Sequence, residues 1–183
     1  MTERRWRWIW QPDLRQGAEE FAFRATPGGY EARGSVAAMI EGAPLNASYV
    51  LQADAAWVTH RVRVELKDGR PLEILADGAG NWRRAEGGML PDLEGCIDPD
   101  VSMTPFTNTI AIRRLALRVG ETREIKVAYI LVPQLSVHAA PQRYTRLADR
   151  LWRFEGLDIG FTADIAVDGD GFVVDYPGLF RRA

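Results

Sequence analysis

Alternation with a period of two, cut into short lengths by glycine turns, constrains this chain more than any other feature. In "RRWRWIWQ", Trp6, Trp8 and Trp10 share one parity and Arg5, Arg7 and Ile9 the other. Successive side chains of a strand point to opposite faces, so the pattern predicts a strand with one buried face. The same period recurs at Phe21 and Phe23, at Val62, Val64 and Leu66, and at Ile125, Val127 and Tyr129. Between these runs lie Pro27-Gly28-Gly29, Lys67-Asp68-Gly69, Asp77-Gly78, Val119-Gly120 and Asp168-Gly169-Asp170-Gly171, at hairpin-like spacing. A mainly β chain follows, its many strands in a single antiparallel up-and-down sheet. Curling such a sheet into a roll hides its edges, and neighbours in sequence can pair throughout.

The chain is long enough to bury a full core: 183 residues, 46% of them hydrophobic, with no linker or repeat dividing them. One domain over 1–183 is the expectation. Lys and Arg number 23 against 25 Asp and Glu, a formal charge of -2, which gives no pull toward nucleic acid. No stretch approaches the roughly 20 apolar residues of a transmembrane segment, and the Arg-interrupted start does not read as a signal peptide. Cys96 is the single cysteine, so no internal disulfide can form. These features point to a cytoplasmic protein. The exposed edge expected of "RRWRWIW" suggests pairing of two chains as a homodimer.

One segment departs from the strand pattern: Gly95 to Leu115, "GCIDPDVSMTPFTNTIAIRRL". Thr104 can cap a helix and Pro105 suits its first position, which predicts a short helix near 105–112 handing over to a strand near Arg113. Phe106 and Ile110, four apart, would form its apolar stripe. The competing reading is a bulged strand, with Ile110, Ile112, Leu115 and Leu117 alternating.

The chemistry in this segment reads first as a joint. Asp98, Asp100 and Thr104 are candidates for tying loop to helix, with Asp98 or Asp100 as partner to an arginine that breaks an apolar run. Arg113 and Arg114 are also candidates to hold an anionic or sugar headgroup, since a guanidinium can bond bidentately. Asn108 and Tyr144 complete the polar candidates, and Trp57, Trp82 and Trp152 could edge the mouth of a cavity. Six Trp, five Tyr and seven Phe supply aromatic walls for one. An alternative is a small hydrolase or isomerase using Asp98 or Asp100 with Tyr144 or Cys96. No metal site is expected, because Cys96, Asp98 and Asp100 would need a further ligand from elsewhere in the chain, where only His60 and His138 offer imidazoles. Nor is a cofactor: the P-loop, Gly-x-Ser-x-Gly and His-Glu-x-x-His patterns are missing, and "DGAGNW" lacks the third glycine of a dinucleotide fingerprint. "DIAVDGDGFVVDY" resembles a calcium loop only at Asp168 and Asp170, with Phe172 at the next ligand position.

"GCIDPDVSMTPFTNTIAIRRL", with "YVLQADAAWVTHRVRVEL", "DGAGNW", "VAYILVPQLSV", "QRYTRL" and "VVDYPGLF", resembles the "putative glycolipid-binding" family, a group first known as a domain of unknown function. The Thr104–Thr109 core followed by Arg113-Arg114 is its specific part. The resemblance implies a bacterial protein with a spiral β-roll, a sheet curled around one helix, and a lipid or glycolipid-like small molecule as ligand. It supplies no catalytic residues.

Overall fold

The computed structural model describes residues 3–11 and 15–183. Among the described residues, seven strands lead outward from the N-terminus: β1 (Arg4–Trp10), β2 (Arg15–Thr26), β3 (Gly29–Ile40), β4 (Ala43–Asp54), β5 (Thr59–Leu66), β6 (Pro71–Ala76) and β7 (Trp82–Arg84). A 3-10 turn (Pro91–Leu93), strand β8 (Asp98–Val101) and helix α1 (Phe106–Leu115) follow. The return runs through β9 (Thr122–Leu131), β10 (Ser136–Ala148), β11 (Leu151–Gly156), β12 (Phe161–Val167), β13 (Val173–Tyr176) and β14 (Phe180–Arg182).

All fourteen strands belong to one sheet in the order β7-β6-β5-β4-β3-β2-β1-β14-β13-β12-β11-β10-β9-β8. It is the rolled, unclosed sheet around a short helix that the alternation and the family resemblance lead one to expect. The first and last strands meet in its middle, with Trp8 opposite Arg182 and Trp10 opposite Phe180. β1 is therefore not an edge, contrary to expectation: β2 covers its other side from Arg4 to Trp10. The edges are β7 and β8, of three and four residues, short enough to offer little template for another chain. β8 and β9 pair in parallel because α1 crosses between them; every other strand pairing is antiparallel, and all of these but β1 with β14 join strands consecutive in sequence.

Parity decides what faces inward. Trp8 and Trp10 of β1, Phe21 and Phe23 of β2, and Val62, Val64 and Leu66 of β5 are buried. Phe106 of α1 enters among Phe21, Phe23 and Phe172, with ring centroids 4.9–6.2 Å away, a spacing at which tilted rings attract. Three turns share one device. The Oδ1 atoms of Asp54, Asp77 and Asp168 each accept backbone N–H groups two and four residues on, at 2.7–3.1 Å. Asp168 also takes Arg182 at 2.8 Å on its Oδ2, so its carboxylate serves the turn and the C-terminal strand.

The helix differs from expectation in extent. It ends at Leu115 rather than near 112, closing at Ala116 in the left-handed conformation, and the next strand starts only at Thr122. Arg113 and Arg114 lie in its last turn, where the helix dipole favours cations. Pro105 stands just before the helix, and Thr104 Oγ1 accepts the Phe106 N–H at 3.1 Å. Every residue from Phe106 to Ile112 is buried, so no single apolar stripe exists. Over that stretch the rolled sheet leaves the helix no solvent side, and Thr107, Asn108 and Thr109 go inside with the rest, while Arg113 in the last turn is exposed.

Candidate functional site

Burying those three polar residues calls on the interior for hydrogen bonds, which Thr107 and Asn108 find, while Thr109 Oγ1 has none among the described residues. Asp98 and Asp100, two apart on β8, both face α1. Arg114 donates Nε and Nη2 to the two oxygens of Asp98, each at 2.6 Å. Asp98 is fully buried; burial leaves its carboxyl above the usual range although the Arg114 bonds pull it down. On Asp100, Oδ1 accepts Thr107 Oγ1–H at 3.0 Å and Oδ2 accepts Gln142 Nε2–H at 2.6 Å. Gln142 comes from β10, where it shares parity with Ala140 and Tyr144. Tyr144 OH accepts Asn108 Nδ2–H at 3.0 Å and donates to Gln142 Oε1 at 3.4 Å.

Asp100, Gln142, Asn108 and Thr104 form the polar floor of a cavity of about 410 Å³. Its walls are Ala140, Phe154, Phe161, Tyr176, Leu179 and Phe180, from β10 to β14; Tyr129 and His138 stand at one side, Asp158 and Ile159 at another. The volume lies in the lower half of the ~300–1,000 Å³ range of small-molecule sites. Burial pushes the Asp100 carboxyl up, against the bonds from Gln142 and Thr107.

Behind the floor lies a second buried acid. Glu19 is fully buried on β2, and its Oε1 accepts Tyr49 OH at 2.6 Å and Thr104 Oγ1–H at 3.0 Å. Its Oε2 is enclosed with no hydrogen-bond partner among the described residues. Burial pushes the carboxyl up to about 8, although the Tyr49 and Thr104 bonds pull it down. Gly34 makes this packing possible, since a Cβ there would collide with Tyr49 Cε1 and Glu19 Oε1. Gly34→Ala is expected to lose about 1–3 kcal/mol of stability in urea unfolding. Gly28→Ala, where a Cβ would meet nothing within 4 Å, should be close to neutral.

The residues singled out from the sequence are dispersed. Asn108 lines the cavity and Tyr144 supports it from behind; Asp100 and Thr104 combine a structural bond with a place in the lining. Arg114 is closed on Asp98, and exposed Arg113 lies over the Trp57 ring, 5.1 Å from its centroid. Trp57 is buried, stacked on Phe23 and Tyr30. Trp82 is buried and donates Nε1–H to Cys96 O at 2.7 Å. Trp152 is buried under the Arg146 guanidinium. None of the three tryptophans lines the cavity. Cys96 is buried, and burial pushes its thiol up to about 11, far from the thiolate a nucleophile needs.

Sequence reasoning missed Gln142, Tyr176, Phe154, Phe161 and Glu19. A signal existed for two of them. Gln142 alternates in step with Tyr144, and Glu19 shares the odd parity of Phe21 and Phe23, so each carried a polar group onto an inward face.

Comparison with known proteins sets this geometry in context. The model of the family described as "Putative glycolipid-binding" matches residues 7–182. A DUF1089 family protein from Pseudomonas aeruginosa, known from a 1.80 Å crystal structure, is 39% identical to this chain. The two superpose with a TM-score of 0.81, covering 90% of this chain and 92% of that one. No curated protein matches.

Proposed function

The chain belongs to the "putative glycolipid-binding" family, and from that premise we propose that it binds the polar end of a lipid or glycolipid-like amphiphile in the cavity between α1 and strands β10 to β14, without catalysing a reaction. The observation that carries this reading is the division of the cavity into an aromatic and aliphatic wall and a polar floor. An amphiphile matches that division: its hydrocarbon gains from leaving water along the wall, and its head replaces lost hydration with bonds to the floor. At about 410 Å³ the cavity suits a headgroup and the first part of a tail. A binding role also accords with the state of the reactive groups, because Asp98 is occupied by Arg114 and Cys96 is held as a thiol. No helix of the described residues is long and apolar enough to cross a membrane.

Native mass spectrometry of gently purified protein tests the reading. A bound amphiphile is expected in the wild type. Ala140→Phe, which places a ring in the cavity from a wall position on β10, should remove that mass while the chain stays folded. An adduct unchanged in the filled variant would place the ligand elsewhere and end this assignment.

A further inference from the structure

The lining of the cavity carries a pattern that sorts amphiphiles by headgroup. Asp100 faces it from the floor and Asp158 from the rim, whereas among the described residues no lysine or arginine lines it. The two arginines that follow the floor residues in sequence are engaged elsewhere, Arg114 with Asp98 and Arg113 over Trp57. A phosphate or sulfate head entering this space would shed water, meet carboxylates and find no lysine or arginine in exchange.

The hydrogen-bonding capacity of the floor leans the same way. Each carboxylate oxygen has two lone pairs, and Asp100 uses one on Thr107 and one on Gln142, so both oxygens can accept again. Asn108 and Gln142 each spend one amide N–H, on Tyr144 and Asp100, and keep one, while Asn108 Oδ1 can accept two bonds and Gln142 Oε1 receives only the long 3.4 Å bond from Tyr144. The floor is thus richer in acceptors than in donors. Its complement is a head that donates several hydrogen bonds, which hydroxyl groups do and a dianionic phosphate does not. Phe154, Phe161 and Tyr176 add flat apolar faces in the same space, suited to the C–H face of a sugar ring. Burial pushes the Asp100 carboxyl up. Protonated, Asp100 gives one further donor; ionised, it gives acceptors only; in neither state does it offer a phosphate a positive charge.

We infer that the cavity selects an uncharged, hydroxyl-rich head, a glycosyl group, over an anionic one. The inference rests on the binding reading above and gives it a ligand class. It also reverses the expectation that an arginine would take an anionic head, because both arginines of the pair lie outside the cavity.

Isothermal titration of the full chain at pH 7 with octyl β-glucoside and with octyl phosphate, each below its micelle threshold, tests it. The two probes share a tail and differ in the head. The glucoside is expected to bind at least about tenfold more tightly than the phosphate. Asp158 is exposed on the turn between β11 and β12, so Asp158→Lys should leave the fold intact while placing a cation at the rim. This variant should strengthen octyl phosphate binding about threefold or more and narrow the gap between the two probes. Phosphate binding within tenfold of the glucoside, or tighter, overturns the selectivity while leaving the amphiphile site standing. Equal phosphate affinity in wild type and Asp158→Lys overturns the electrostatic cause. Binding of neither probe removes the amphiphile site and the selectivity together.

Discussion

Arg114→Ala is expected to cost about 3–5 kcal/mol of folding stability, because it strands the Asp98 carboxylate in the interior. Asp98 is fully buried and its two bonds from Arg114 are its only described side-chain partners. Removing the guanidinium forces the carboxylate either to stay charged without compensation or to take up a proton, and both are unfavourable at neutral pH. For a chain of this size the loss corresponds to a fall in melting temperature of about 6–20 °C. The informative control is the double variant Asp98→Leu with Arg114→Met. An apolar pair of similar volume needs no desolvation of charge, so most of the loss should be recovered. Thermal unfolding of the two variants decides the matter: a single variant within about 1 kcal/mol of wild type, or a double variant no better than the single, would show that the pair does not hold β8 to α1. The expected loss is independent of any ligand, as befits a joint that lies outside the cavity.

Glu19 should make the protein lose stability as pH rises, the reverse of an acid held in an ion pair. The folded chain keeps this proton until about pH 8, whereas an ordinary glutamate gives it up near 4.5. Between those values the unfolded state binds fewer protons than the folded state at this site. Stability therefore declines from about pH 4.5 to about pH 8 and then levels off, with the contribution fully present below the unfolded value. At about 1.4 kcal/mol per pH unit, the total is at most about 5 kcal/mol. Glu19→Gln keeps the shape and cannot titrate. Urea unfolding at pH 5, 6.5 and 8 should show the variant gaining on the wild type by a few kcal/mol across that range. Acids such as Glu73 and Asp164, lowered by their arginine partners, push the other way, but they are common to both chains and cancel in the comparison. Parallel pH profiles for the two chains would mean that Glu19 is solvated or ionised in the folded state.

Both predictions concern groups that differ in how far they could be read beforehand. The pairing of an Arg113-Arg114 guanidinium with Asp98 or Asp100 was legible, since an arginine inside an apolar run needs a carboxylate nearby. Which of each pair was not, because it depends on the helix running on to Leu115, which turns Arg114 toward β8 and Arg113 outward to Trp57. Trp57, Trp82 and Trp152 stand near strand ends or turns, a position that suggests the edge of a mouth. Parity and turns are local, however, and whether a turn overlies a cavity or the packed core depends on how the sheet curls.

Local chemistry alone accounts for the strands, their inward and outward faces, the hairpin order and a helix beginning after Thr104, because side-chain alternation and turn geometry act over a few residues. The cavity came from tertiary structure. Its floor joins Asp100 of β8 to Gln142 of β10 across 42 positions, and the Glu19 cluster joins β2 to Thr104 across 85. Those contacts exist only because the sheet rolls around α1, burying Phe106 to Ile112 and bringing Thr107 and Asn108 to partners inside.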